Sequence, residues 1–284
     1  MFKATLSKTA QLKQIFDALK ELVELVDTDQ FTIECSPKSM RLMGNDLVSN
    51  ESTQIFLELK ADLFESYSCD VCFKAITSVD TMVKALDFCS EGDEFIINGD
   101  ANLHNTVVYW IVDAKYQVQQ EVTGTIATLF IEEPCEPLSM PGDDYSVVLS
   151  MPSALFHKTI KNLCSFTGKY FPRINIDATE LEVTFTRADH TGKSENPVTT
   201  TVSFPATTTE GDGREAVQIA FKEPVTMRCS ARHLLALTKP YTLSDRVTIV
   251  LGKKEGPYGD EVSSMMVQYG LEDIGVLRLA ISPR

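Results

Sequence analysis

Apolar and polar residues alternate along most of the chain, and that period predicts half-buried strands. The clearest are 30–35 (QFTIEC), 54–60 (QIFLELK), 94–99 (EFIING), 106–112 (TVVYWIV), 145–150 (YSVVLS), 181–186 (LEVTFT), 247–252 (VTIVLG) and 264–271 (SMMVQYGL). Polar clusters that favour turns separate them, among them SPKS, SEGD, TEGDGRE and KKEGPYGDE. Four stretches follow a helical period instead. Over 8–25, Leu12, Ile15, Phe16, Leu19, Leu22 and Val23 fall on one face of an α-helix. Over 78–89 the same stripe is Val79, Met82, Val83 and Leu86. In MPSALFHKTIKNLC, residues 151–164, it is Phe156, Ile160, Leu163 and Cys164, with Ser153 as the expected N-cap. The fourth helix covers 230–239, with Ser230 as its cap and Pro240 as its stop.

The helices start near 8, 78, 153 and 230, at spacings of 70, 75 and 77 residues. A unit of strands, helix and strands at a nearly fixed period is the mark of internal duplication. The fold class is therefore α+β, with two similar domains of antiparallel sheet and two helices each. The domains span 1–120 and 145–284, joined by a connector over 121–144. The connector region carries spaced prolines and acids and has no clear period. Its Leu129, Phe130, Ile131, Leu138 and Met140 either pack back on a sheet or line a groove for a partner.

Composition narrows the class. A chain of 284 residues that is 43% hydrophobic and 23% charged has core enough for either one large domain or two ordinary ones, and is not fibrous or mainly disordered. The N-terminus lacks the apolar run of a signal peptide, and VVYWIV is too short to span a bilayer. The expectation is a soluble intracellular protein with no membrane association. The seven cysteines are scattered and odd in number, which argues against a disulfide framework. Cys69 and Cys72 have CxxC spacing, but a zinc site needs a second pair or nearby histidines, and only His104 is close in sequence. Neither a metal nor a cofactor is expected.

Enzyme signatures are missing from the sequence. It contains no GxxxxGK[ST], GxGxxG, HExxH or GxSxG. The pairs Asp143–Asp144 and Glu132–Glu133 lie in expected loops, where solvated surface is the simpler role.

Charge is distributed unevenly. Forty Asp and Glu against 26 Lys and Arg give a formal charge of -14, yet the third and fourth helices contain no acid. Lys13 and Lys20 are seven apart on the first helix, Lys84 is on the second, Lys158 and Lys161 are adjacent on the third, and Arg232 and Lys239 are seven apart on the fourth. Surface helices commonly carry lysine, so any one of these is unremarkable alone. Their repetition at equivalent places suggests a local positive surface that meets phosphates as point charges. An acidic exterior would meanwhile repel the same polyanion.

At this level the sequence resembles the sliding clamps of DNA replication, the proliferating cell nuclear antigen family. The likeness runs from MFKATL and LKQIFDALKEL through FESYSCD, VDTMVKAL and DDYSVVLSMPSALFHKTIKNL. It is firmest over 215–252 (EAVQIAFKEPVTMRCSARHLLALTKPYTLSDRVTIVLG) and at VQYGLEDIGVLRLAISPR. The resemblance implies a homotrimeric ring of six similar domains, pseudo-six-fold, with helices lining a hole through which double-stranded DNA passes without sequence specificity. It implies a nuclear, non-catalytic processivity factor that tethers DNA polymerases, a clamp loader and other replication and repair proteins. Position by position it assigns the DNA-facing role to Lys13, Lys20, Lys84, Lys158, Lys161, Arg232 and Lys239, and adds Lys115.

The resemblance also implies a pocket for clients that bear a short glutamine and aromatic motif. Its matching positions are Leu129, Ile131 and Leu138 in the connector, Ile281, Ser282 and Pro283 near the C-terminus, and Met43 and Leu47 as one wall. Subunits would join through edge strands near 114–121 and 198–204. Asp87 stands where the family usually has a second basic residue, and Ser264 where it usually has proline. A subunit of a heterotrimeric checkpoint clamp in damage signalling is the alternative of similar length. An unrelated enzyme on a duplicated α+β fold is the third.

Overall fold

The computed structural model describes residues 2–7, 9–26, 30–46, 51–70, 73–90, 92–100, 106–112, 119–122, 145–164, 173–189, 198–205, 217–255 and 261–283. The chain divides into two compact units. The first is Met1–Asn45, Ile55–Leu138 and Leu271–Leu277; the second is Asp46–Gln54, Ser139–Gly270 and Arg278–Arg284.

The elements of the first half are β1 (Phe2–Leu6), α1 (Thr9–Val26), β2 (Gln30–Cys35), β3 (Ser39–Asp46), β4 (Glu51–Lys60), β5 (Ser66–Cys69), β6 (Phe73–Ser78), α2 (Val79–Asp87), β7 (Glu94–Asp100), β8 (Thr106–Val112) and β9 (Gln119–Val122). Those of the second are β10 (Tyr145–Pro152), α3 (Ser153–Cys164), β11 (Arg173–Ala178), β12 (Glu182–Asp189), β13 (Val198–Pro205), β14 (Gln218–Phe221), β15 (Val225–Ser230), α4 (Ala231–Leu237), β16 (Arg246–Glu255), β17 (Glu261–Gly270) and β18 (Gly275–Pro283). The order of strands and helices is the same in both halves.

Pairing repeats as well. The first half holds strands in the orders β5-β1-β7-β8-β9 and β4-β3-β2-β6, and the second holds β14-β10-β16-β17-β18 and β13-β12-β11-β15. Each strand keeps the neighbours of its counterpart nine strands away. For example, β1 pairs antiparallel with β5 and β7, as β10 does with β14 and β16. The duplication expected from the helix spacing is therefore present in strand order and pairing. β9 and β13 end their sheets.

The expected helical stripes form the core. Leu12, Ile15, Phe16, Leu19 and Leu22 are buried on α1, and Val23 is half-buried at the edge of the stripe. On α2 the buried set is Val79, Met82, Val83, Ala85 and Leu86, and Ser78 caps the helix by accepting from the Thr81 N–H at 3.1 Å. In α3 the buried set is Ser153, Phe156, Ile160, Leu163 and Cys164. Phe156 packs on Phe185 of β12, which in turn meets Phe204 of β13 edge-on at 5.7 Å between centroids.

Two local expectations are corrected. Ser153 is the first residue of α3 rather than its cap. Its Oγ is buried with no hydrogen-bond partner among the described residues, and its N–H donates to the Asp245 carbonyl instead. The fourth helix stops at Leu237, before Pro240, and the chain continues as a 3₁₀ turn over Lys239–Thr242. Ser230 does cap it, accepting from the Arg232 N–H at 3.2 Å. The turn expected at KKEGPYGDE is shorter than its polarity suggests, because Lys253–Glu255 still pair with Glu261–Ser263.

Two buried polar side chains close the helix ends of the second unit. Arg187 of β12, 3% exposed, donates from Nη1 to the Leu163 carbonyl at 2.9 Å, placing a cation at the negative end of α3. The Tyr269 hydroxyl donates to the Leu237 carbonyl at the end of α4, at 2.8 Å, in a fully buried position. Tyr269→Phe strands that carbonyl and should cost about 1–3 kcal/mol, read as a lower urea midpoint at constant slope. An unchanged midpoint would show that the bond contributes nothing.

Candidate nucleic-acid interface

The second unit presents cations without counter-charges. Burial of Phe156, Ile160 and Leu163 turns the opposite face of α3 outward, so Ala154, Leu155, Lys158, Lys161 and Asn162 are exposed. On α4, His233, Leu234, Ala236 and Leu237 are buried while Arg232 stays half-exposed. α3 packs against α4 and the following 3₁₀ turn, which carries the half-exposed Lys239. The His157 ring stacks on Tyr241 of that turn, with centroids 4.0 Å apart and planes 12° from parallel. Its Nδ1 lies 3.0 Å from Thr238 Oγ1. Thr238 gives its own proton to the Leu235 carbonyl at 2.8 Å, so His157 Nδ1–H is the donor between them. This bond and stack tie α3 to the segment that holds Lys239. Among the described residues, no carboxylate lies within ion-pair distance of Lys158, Lys161 or Arg232.

The first unit is arranged differently. Lys13 of α1 meets Asp87 of α2 at 2.6 Å. Lys20 of α1 meets Asp80 Oδ1 at 3.1 Å, and Lys84 of α2 meets Asp80 Oδ2 at 2.6 Å. Three lysines of the expected DNA-facing set are thus held by two carboxylates on α2. The hydrogen bond to Asp87 raises the Lys13 pKa above its ordinary 10.5. Hydrogen bonds from Lys84 and then Lys20 hold Asp80 below its ordinary 3.8. The stabilisation from Asp80 is therefore present above pH 3.8 and is lost as pH falls through its lower native value. That from Lys13 is present below pH 10.5 and is lost as pH rises through its higher native value. Exposed pairs of this kind contribute little to folding, and their main effect is on local charge.

The thiols take no visible part in a site. Burial pushes Cys89 and Cys164 up to about 11, so both are protonated near neutral pH. Cys69 is half-buried on β5, and Cys72 lies outside the described residues. No cluster of His, Cys, Asp and Glu among the described residues could hold a metal.

Of the expected client-pocket positions, Met43 is half-exposed on β3 in the first unit. Ile281 is buried and Ser282 half-buried on β18 in the second. The backbone of Pro283 ends β18, and nothing of its side chain is described. Ser264 is buried on β17. Leu47, Lys115, Leu129, Ile131 and Leu138 lie outside the described residues.

Reading the sequence missed Asp80. Its spacing of four from Lys84 on one helix was a usable signal, whereas its contact with Lys20 spans 60 residues and has none.

Comparison with known proteins bears on both halves. Residues 1–129 match the family model "Proliferating cell nuclear antigen, N-terminal domain", and residues 139–284 match "Proliferating cell nuclear antigen, C-terminal domain". The chain is 30% identical to Proliferating cell nuclear antigen of Caenorhabditis elegans over 284 residues, covering 100% of this chain and 97% of that one. It is 26% identical to Proliferating cell nuclear antigen of Dictyostelium discoideum, covering 100% of this chain and 99% of the relative. It is 24% identical to Proliferating cell nuclear antigen 2 of Drosophila melanogaster, over 100% and 98% respectively. With duplicated pairing, four amphipathic helices and a whole-length match to both family domains, this chain belongs to the proliferating cell nuclear antigen family of DNA sliding clamps.

Proposed function

We propose that the protein acts as a homotrimeric ring that encircles duplex DNA and tethers polymerases, a clamp loader and other replication and repair proteins in the nucleus. In this reading it has no catalytic role. The observation that carries the DNA contact is the acid-free face of α3 and α4, with Lys158, Lys161 and Arg232 exposed to some degree on a chain of formal charge -14. Such a face attracts a phosphate backbone without reading its bases, which suits a ring that must move along any sequence. Lys13, Lys20, Lys84, Lys115 and Lys239 complete the proposed hole-facing set.

Each protomer comprises domains at 1–120 and 145–284 with the 121–144 connector between them. Closure uses β9 and β13, the terminal strands of their sheets, whose unpaired edges would be satisfied by a neighbouring subunit. β13 is rich in threonine, with Thr199, Thr200 and Thr201 exposed and its only Phe, Phe204, turned into the core. Clients dock in a pocket that draws on Met43, Leu47, Leu129, Ile131, Leu138, Ile281, Ser282 and Pro283. A heterotrimeric checkpoint clamp is not favoured, because the matched relatives carry the replication clamp's name.

Retention on a topologically closed substrate tests encirclement. Loaded by a clamp loader onto a nicked circular plasmid, the protein should remain with the circle through gel filtration. It should be lost when a single cut makes the circle linear. Equal retention on circle and linear DNA would overturn this reading.

A further inference from the structure

The helices of the two units differ in charge as well as in pairing. α1 and α2 carry Lys13, Lys20 and Lys84 against Asp17, Glu21, Glu24, Asp80 and Asp87. α3 and α4 carry Lys158, Lys161 and Arg232 and no carboxylate. The difference also extends to geometry, since each lysine of α1 and α2 has an aspartate of α2 within 3.1 Å. Asp80 holds one lysine from each helix on its two oxygens, and Asp87, at the last residue of α2, holds Lys13.

A phosphate that approaches Lys13, Lys20 or Lys84 must compete with a carboxylate already in contact. The same phosphate meets Lys158 and Lys161 with no such competitor among the described residues. The carboxylates also repel the phosphate directly. Resting on the clamp reading above, we infer that Asp80 and Asp87 are attenuating residues, which hold the lysines of α1 and α2 in inter-helix ion pairs. The duplex is then contacted chiefly by α3 and α4 of each protomer. The ring has an uneven grip, strong at the second unit and weak at the first. Asp87 is then no misfit on a basic surface: it is half of a device that sets how firmly the surface holds DNA.

Counterion release gives the expected size. Each lysine freed to reach a phosphate steepens the salt dependence of duplex binding by about 0.9 in log–log slope. Between 50 and 200 mM salt that is a factor of about three per contact.

The test is a thermodynamic cycle on the full-length protein, with a fluorescently labelled linear duplex as the probe and anisotropy read across that salt range. Asp80→Asn with Asp87→Asn should tighten binding at least threefold at the low-salt end and steepen the salt slope. Lys13→Gln should weaken binding several-fold more in the Asp87→Asn background than in the parent. Thermal melting of each variant guards against a loss of α1–α2 packing. Equal effects of Lys13→Gln in both backgrounds, with no gain from the aspartate changes, would overturn the inference while leaving the clamp reading intact. If Lys158→Gln with Lys161→Gln also left duplex binding unchanged, the assignment of these helices to DNA would fall, and the inference with it.

Discussion

Reversing two charges on α3, Lys158→Glu with Lys161→Glu, is expected to weaken duplex binding at least tenfold and to remove most polymerase stimulation on primed DNA. Both side chains are exposed, and neither has a carboxylate within ion-pair distance among the described residues. Losing two phosphate contacts costs about tenfold over a fourfold rise in salt, and the new glutamates add repulsion to that loss. Folding should be unaffected, because Phe156, Ile160 and Leu163 anchor the helix from the other side and Arg187 secures its end. An unchanged melting temperature with lost stimulation is the expected pair of results. Undiminished stimulation would count against the DNA-facing assignment.

The second large effect is steric. Gly275 begins β18, and a Cβ built there would lie 1.8 Å from the Glu58 carbonyl oxygen on β4 and 2.9 Å from its carbon. Both atoms belong to backbone, so no side-chain rotation relieves the clash. Nearby, the Lys60 N–H donates to the Ile274 carbonyl at 3.0 Å, which fixes the two segments against each other. Gly275→Ala must therefore push apart a hydrogen-bonded pair of segments. Its cost should reach the upper end of overpacking effects, about 3 kcal/mol or more. Gly270 is the internal control, because a Cβ there meets nothing within 4 Å. Gly270→Ala should leave the urea midpoint nearly where it was, while Gly275→Ala lowers it sharply. Equal midpoints for the two variants would contradict the packing described here.

Much of this architecture is legible in the sequence because burial imposes a period. Gln30–Cys35 and Thr106–Val112 are strands with the bounds that alternation predicts, and all four helices lie within a few residues of their apolar stripes. Strands escape notice where the period is weak or hidden. β1 has Ala4, Thr5 and Leu6 buried in succession, so it does not alternate. β5 and β14 are four residues long and carry no fully buried position. β15 alternates strictly but runs directly into α4, which conceals its end.

The site was legible in one respect and not in another. Which lysines sit on helix surfaces follows from spacing alone. Whether a lysine is answered by an acid depends on which helix packs beside it. The Lys13–Asp87 and Lys20–Asp80 pairs are made by tertiary packing of α1 on α2, which sequence spacing cannot express. Asp87 therefore looked like an exception when it was in fact a partner. Leu129, Ile131 and Leu138 stand apart from this comparison, because they lie outside the described residues.

The central claim is a ring built from copies of this one chain, and its mass in solution tests that claim most directly. Sedimentation equilibrium at micromolar concentration in moderate salt should give the mass of three chains of 31.6 kDa each, with no other polypeptide present. A monomer under those conditions, or a stable particle that forms only with two unlike clamp chains, would contradict it.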